Sequence, residues 1–198
     1  MYTRHQKHFW GLFSAPRDEW KSIRDEKSDL TQFGLTRLIF FATVPTIAFL
    51  IGISQVGWSL SGTEFHKVAI NYAFLMAVAF YLLIVVATLL MTYVTYTIAS
   101  AFRTEARFER CLVFVTYTAT PMYMAGLVGF VPIVWLCIIV LMAAVIYSLY
   151  LLYVGIPIYM NIPEGKGFIV ATSIISAGLC MMVCFNVATV VIWSMMIA

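Results

Sequence analysis

Charge is scarce in this sequence. Asp, Glu, Lys and Arg make up 11% of its 198 residues, against about 25% in a soluble globular domain. Apolar residues make up 63%, so lipid rather than water is the chain's main solvent. No acid, base or histidine occurs from Leu112 to Pro157, a run of 46 residues. Proton- or ion-coupled pumping normally places ionisable groups within the membrane, and the uncharged runs argue against it. His-Glu-x-x-His, Gly-x-Ser-x-Gly and phosphate-cradling glycine motifs are also missing. No nucleophile, base and metal set is visible, so no catalytic residue is assigned and an enzyme is not expected. A net charge of +3 without a basic stripe excludes nucleic acid from the expected partners.

Cysteine is sparse too. Cys180 and Cys184 share a helix face but lack the remaining ligands of a closed zinc site, and they read as inert thiols alongside Cys111 and Cys137. His5 and His8 read as part of a solvated terminus, and His66 beside Glu64 as loop residues. No metal or cofactor is expected. There is no short apolar core with a small-residue cleavage site at the start, so the first span is expected to direct membrane entry.

What is present is a series of long apolar runs. A span needs about 20 apolar residues, so the run from Leu112 to Pro157 predicts a tight transmembrane hairpin broken at Gly129-Phe130-Val131-Pro132. Five spans are expected, at about 38–56, 68–101, 111–130, 133–154 and 168–197, forming one domain over 38–198. The fold class is an all-α integral membrane protein, a five-helix bundle. Residues 1–37 form a polar N-terminal segment. Within it, Ser14, Pro16, Asp18 and Glu19 mark a helix start. Trp20 and Ile23 then give the helix an apolar face, which either lies in the headgroup layer as an amphipathic interfacial helix or packs on the bundle.

Backbone breaks are expected at Pro45, where proline removes a helical donor, and at Gly155 and Pro157, which read as cap and stop of the fourth span. Thr88, Thr92 and Thr95 share one face of the second span. Thr116, Tyr117, Thr118, Thr120 and Pro121 crowd the third, where Pro121 predicts a kink. Such hydroxyl faces serve as packing seams between membrane helices or as solute pathways, and packing is favoured. Asn186 needs a partner in lipid, most simply another helix.

Lysine and arginine are gathered on one side. Of the twelve, seven precede the first span, three lie at 103–110, and Lys67 and Lys166 occupy single loops. With five spans, eleven fall on one face and one on the other, which sets the N-terminus in the cytoplasm and the C-terminus opposite.

The chain resembles the Yip family (Ypt-interacting proteins), more closely its short bacterial inner-membrane members. The resemblance rests on Trp10-Gly11-Leu12-Phe13 with Pro16, Trp20 and Ile23, on Tyr117-Thr118-Ala119-Thr120-Pro121-Met122, on Leu151-Leu152-Tyr153-Val154-Gly155-Ile156-Pro157, and on the five-span layout. It implies a five-helix membrane domain with a cytoplasmic N-terminus in a bacterial inner membrane. Eukaryotic members bind Rab-type GTPases and act in vesicle traffic. This chain lacks their long N-terminal extension and Asp-Leu-Tyr-Gly-Pro signature, which argues against a Rab-type GTPase as partner. The expected role is therefore non-enzymatic: organising membrane lipids or partner membrane proteins, a homo-oligomer included. The alternative is a channel, transporter or lipid scramblase using the kinked Thr/Tyr face of spans two and three.

Overall fold

Apolar runs without a strong polar face can satisfy their backbone in lipid only by coiling on themselves, and the described residues are mostly helical. The computed structural model describes residues 11–12, 14–25, 30–59, 62–102, 107–131 and 133–197, with side chains for all of these except 30–33, 181–182 and 184–197. The helices are α1 (Pro16–Asp25), α2 (Leu30–Ile51, continued by a π-helical turn Gly52–Val56), α3 (Ile70–Ala101), α4 (Phe108–Thr118), α5 (Thr120–Ala125, continued by a 3-10 turn Gly126–Phe130), α6 (Val134–Tyr159) and α7 (Glu164–Ile197). Among the described residues three stretches are long and apolar enough to cross a membrane: Gly34–Val56, Ile70–Ala101 and Val134–Tyr159. The bent pair of α4 with α5 and its 3-10 turn makes a fourth if it is one span.

The bend between α4 and α5 is 41°. Pro121 stands in the first turn of α5, where its missing N–H leaves no helical bond unmade. Thr120 donates to the carbonyl of Thr116 at 3.2 Å, taking up bonding capacity freed at the break.

Two expected breaks are corrected. Pro45 does not interrupt α2, which runs through it from Leu30 to Ile51. Its ring is instead a packing surface, since a methyl added at Gly126 would strike the Pro45 side chain. Nor do Gly155 and Pro157 end α6, which continues to Tyr159. Pro157 lacks the N–H that would bond the carbonyl of Tyr153, yet the helix continues two residues beyond it. The stop comes later: the amide of Ile162 donates to Pro157 O at 3.1 Å, and Asn161 turns to φ 51°, the left-handed region that asparagine tolerates.

The loop after α2 turns at Gly57, φ 92°, and closes with paired backbone bonds between Trp58 and His66 of 3.0 and 2.9 Å. Ser59 O accepts from the Val134 amide at 2.9 Å, tying this loop to the start of α6. The outer faces of α2, α3 and α6 are apolar and open, with Phe40, Tyr72 and Ile139 each about two-thirds exposed.

Candidate functional site

The predicted hydroxyl face is buried, and the structure divides it into three parts. In the first, α3 meets α5. Thr88 Oγ1 lies 2.9 Å from the Tyr123 hydroxyl and donates to Ile84 O at 2.8 Å, and Thr92 donates to Thr88 O at 2.8 Å. Thr116 likewise donates to Leu112 O at 2.8 Å. These threonines bond one turn back within their own helices, which satisfies each hydroxyl locally and lets helices approach closely.

The second part is an aromatic cluster on the opposite side of α4. Tyr117 is fully buried. Its hydroxyl accepts from Arg37 Nη1 at 3.1 Å, and the Arg37 guanidinium carbon lies 3.9 Å from its ring centroid. Trp20 from α1 is inserted beside it, with ring centroids 4.9 Å from Phe114, 5.8 Å from Tyr159 and 6.3 Å from Tyr117. Gly155 makes this possible: a Cβ there would stand 2.7 Å from Phe114 Cε2 and 2.7 Å from Trp20 Cε2. So Gly155 is a seat for two rings, not a helix cap.

Trp20 and Ile23 are therefore buried in protein, at 0% and 2% exposure, which favours packing on the bundle over a seat in the headgroup layer, the two placements the sequence left open. The slot between α4 and α6 encloses the indole on all sides with aromatic and aliphatic surface. Two polar ties hold α1 and the residues just before it. Arg24 Nη1 donates to Ile158 O at 3.1 Å, a cation at the carbonyl end of α6, and Tyr147 donates to Leu12 O at 2.9 Å.

The third part is a cavity of about 340 Å³ between α3, α4, α6 and α7, with Thr95, Thr118 and Ser148 in its wall. All three are buried, and none of their hydroxyls has a hydrogen-bond partner among the described residues. The rest of the lining is apolar, including Met91, Phe114, Leu152 and Ile175.

Of the residues expected to matter, Thr88, Thr92, Thr116, Thr120 and Pro121 are buried between helices, Thr95 is in the cavity wall, and Tyr117 belongs to the aromatic cluster. The side chain of Asn186 lies outside the described residues, as do those of Cys184, His5 and His8. Among the described residues no three His, Cys, Asp or Glu side chains are grouped to hold a metal. Sequence reasoning missed Arg37, Tyr123 and Ser148. Ser148 had a signal, being the one Ser or Thr in α6. Arg37 was assigned to the polar segment, whereas it sits inside α2 and is buried.

Comparison with known proteins adds a family to this geometry. The Yip1 domain matches residues 10–185. The inner membrane protein YohC of Escherichia coli strain K12 is 32% identical over 186 residues, 94% of this chain and 95% of that protein, and YohC of strain O6:H1 gives the same figures. No solved structure matches. The chain belongs to the Yip1 domain family.

Proposed function

We propose that this Yip1-family chain is a non-enzymatic integral membrane protein of a bacterial inner membrane that organises lipids or partner membrane proteins. The observation that carries the reading is the seating of α1. A polar helix with Trp20 wholly enclosed between α4 and α6 is a fixed part of the membrane domain. Its other face, with Arg17, Asp18, Lys21 and Asp25 exposed, forms a rigid charged ledge at one end of the bundle. Rigid placement lowers the ordering cost of binding, which suits a platform for lipid headgroups or another protein.

Five spans with a cytoplasmic N-terminus complete the proposal. α7 has 34 residues, about 50 Å at 1.5 Å per residue, long enough for the fifth crossing. The eleven-to-one division of Lys and Arg supports the orientation, and the likeness to an inner membrane protein supports the location. Membrane lipids and membrane proteins, a second copy included, are the proposed partners; a Rab-type GTPase is not. The transport alternative needs hydroxyls turned toward a polar path. Thr88, Thr92, Thr116 and Thr120 instead spend theirs on backbone carbonyls.

The test is reconstitution of the purified chain in liposomes, with solute flux and lipid scrambling measured in the same vesicles. Rates equal to protein-free vesicles are expected. Flux or scrambling abolished by substitutions at Thr120 or Pro121 would replace the platform reading with transport.

A further inference from the structure

Three contacts fix how α1 lies on α6. Tyr147 donates to Leu12 O, a Cβ at Gly155 would meet the Trp20 ring, and Arg24 donates to Ile158 O. Leu12, Trp20 and Arg24 thus meet Tyr147, Gly155 and Ile158 in the same order. The helix α1, with the helical residues just before it, therefore runs alongside α6 as far back as Tyr147, about 18 Å from the end at Tyr159. That is the middle of a 26-residue helix long and apolar enough to cross a membrane. Over this length α1 turns Arg17, Asp18 and Lys21 outward, all of them exposed.

The apolar band on this face is short as a result. The exposed large apolar side chains of α6 begin at Trp135 and end at Tyr150, about 22 Å apart along the helix. From Leu151 to Tyr159, all of them described residues, α6 is buried or half-buried. At the other end a polar loop closes the band. Ser59 O accepts from the Val134 amide, and Glu64, His66 and Lys67 of the same loop are exposed. A bilayer's hydrocarbon core is about 30 Å thick, so the band falls about 8 Å short of it. The face of α3 has no such deficit, with large apolar side chains exposed from Ile70 to Tyr93, about 34 Å.

Neither tilt nor snorkelling removes the difference. Tilting a band shortens its projection on the membrane normal. Arg17 and Lys21 have long stems that can lift their charges toward water, but Asp18 has a single methylene and no such reach. Charge left in hydrocarbon is costly, whereas a bilayer thins at a modest cost per ångström, so the lipids yield.

We propose that the face shared by α1 and α6 is a lipid-sorting surface, which thins the bilayer beside it and gathers glycerophospholipids with short acyl chains. The proposal deepens the lipid-organising reading above and rests on it. A short-chain lipid covers the band from Trp135 to Tyr150 without drawing Asp18 or the loop at Ser59 into hydrocarbon. The taller band of α3 takes ordinary lipids, so one bundle holds two thicknesses of bilayer on different faces.

The experiment uses the full chain in dioleoyl phosphatidylethanolamine–phosphatidylglycerol vesicles. These carry a trace of dansyl phosphatidylethanolamine with either dimyristoleoyl (short) or dierucoyl (long) chains. Trp135, 65% exposed, stands on the band and serves as energy donor. Its share of the transfer to dansyl is the part lost in Trp135→Phe. That share should be about threefold greater for the short lipid, since mismatch costs fractions of a kcal/mol per ångström. The triple variant Arg17→Leu, Asp18→Leu, Lys21→Leu continues the apolar band up α1 and should bring the ratio close to one. If the triple variant does not fold, Asp18→Leu alone should lower the ratio below that of the wild type. Equal transfer to the two lipids, a preference for the long one, or a ratio indifferent to these substitutions would each overturn the proposal. Flux or scrambling in the same vesicles overturns the platform reading and leaves the transfer ratio standing. Equal transfer leaves a platform for partner proteins standing, so the two fail separately.

Discussion

Substituting Gly155 by alanine tests how α1 is held. The added Cβ would lie 2.7 Å from Phe114 Cε2, 2.7 Å from Trp20 Cε2 and 2.9 Å from Trp20 Cζ2. These are ring atoms of fully buried side chains, so neither ring can swing aside as a flexible chain end would. Overpacking of this kind costs about 1–3 kcal/mol. Alanine also favours a helix over glycine by about 1 kcal/mol, which would mask the effect in a global melt. The masking disappears when the reaction followed is release of α1 alone, since α6 is helical before and after release. Because about 1.4 kcal/mol is a factor of ten, the released population should rise about five- to a hundredfold. Limited trypsin cleavage at Lys21 and Arg24 reads that population when reclosing outpaces cleavage. Trp20→Ala, which empties the slot, sets the upper limit. Equal cleavage rates for Gly155→Ala and the wild type would refute the claim that the glycine seats the two rings.

Two other substitutions probe the bundle. Tyr117→Phe keeps the ring under the Arg37 guanidinium but removes its hydroxyl acceptor at 3.1 Å; a loss of about 1.5–3 kcal/mol is expected for a bond to a buried cation, read as a lower melting temperature in detergent. An unchanged melt would show that the stacking alone matters. Pro121→Ala restores a backbone donor at the 41° bend and frees the unfolded chain; it should destabilise by about 1 kcal/mol. An unaltered melting curve and elution profile would make the proline incidental to the bend.

The hairpin between α4 and α6 and the bend beside Pro121 were legible in the sequence because backbone chemistry writes them locally. Proline lacks a donor in any surroundings, and an uncharged run of 46 residues has few places other than lipid to go. The helix at Pro16–Asp25 was legible for the same reason, through its acidic first turn and Pro16. Pro45 and Gly155-Ile156-Pro157 were misread because the same local signals have a second use. In a packed bundle Pro45 abuts Gly126, and Gly155 leaves space for Trp20 and Phe114.

Sequence alone thus determined that the chain is helical and membrane-embedded, which family it resembles, and where α4 bends into α5. Tertiary structure decided which way each side chain looks. In water a helix advertises its inner face by contrast with a polar outer one. In lipid both faces are apolar, so hydropathy carries no such mark, and α2, α3 and α6 read alike all round. Hydroxyls and glycines remain as hints, but their roles diverge only on packing: Thr88 bonds Tyr123 across a seam, while Thr95, two turns on, lines a cavity with Thr118 and Ser148. The difference lies in which neighbouring helix closes over each residue, a property of the assembled bundle rather than of any one segment.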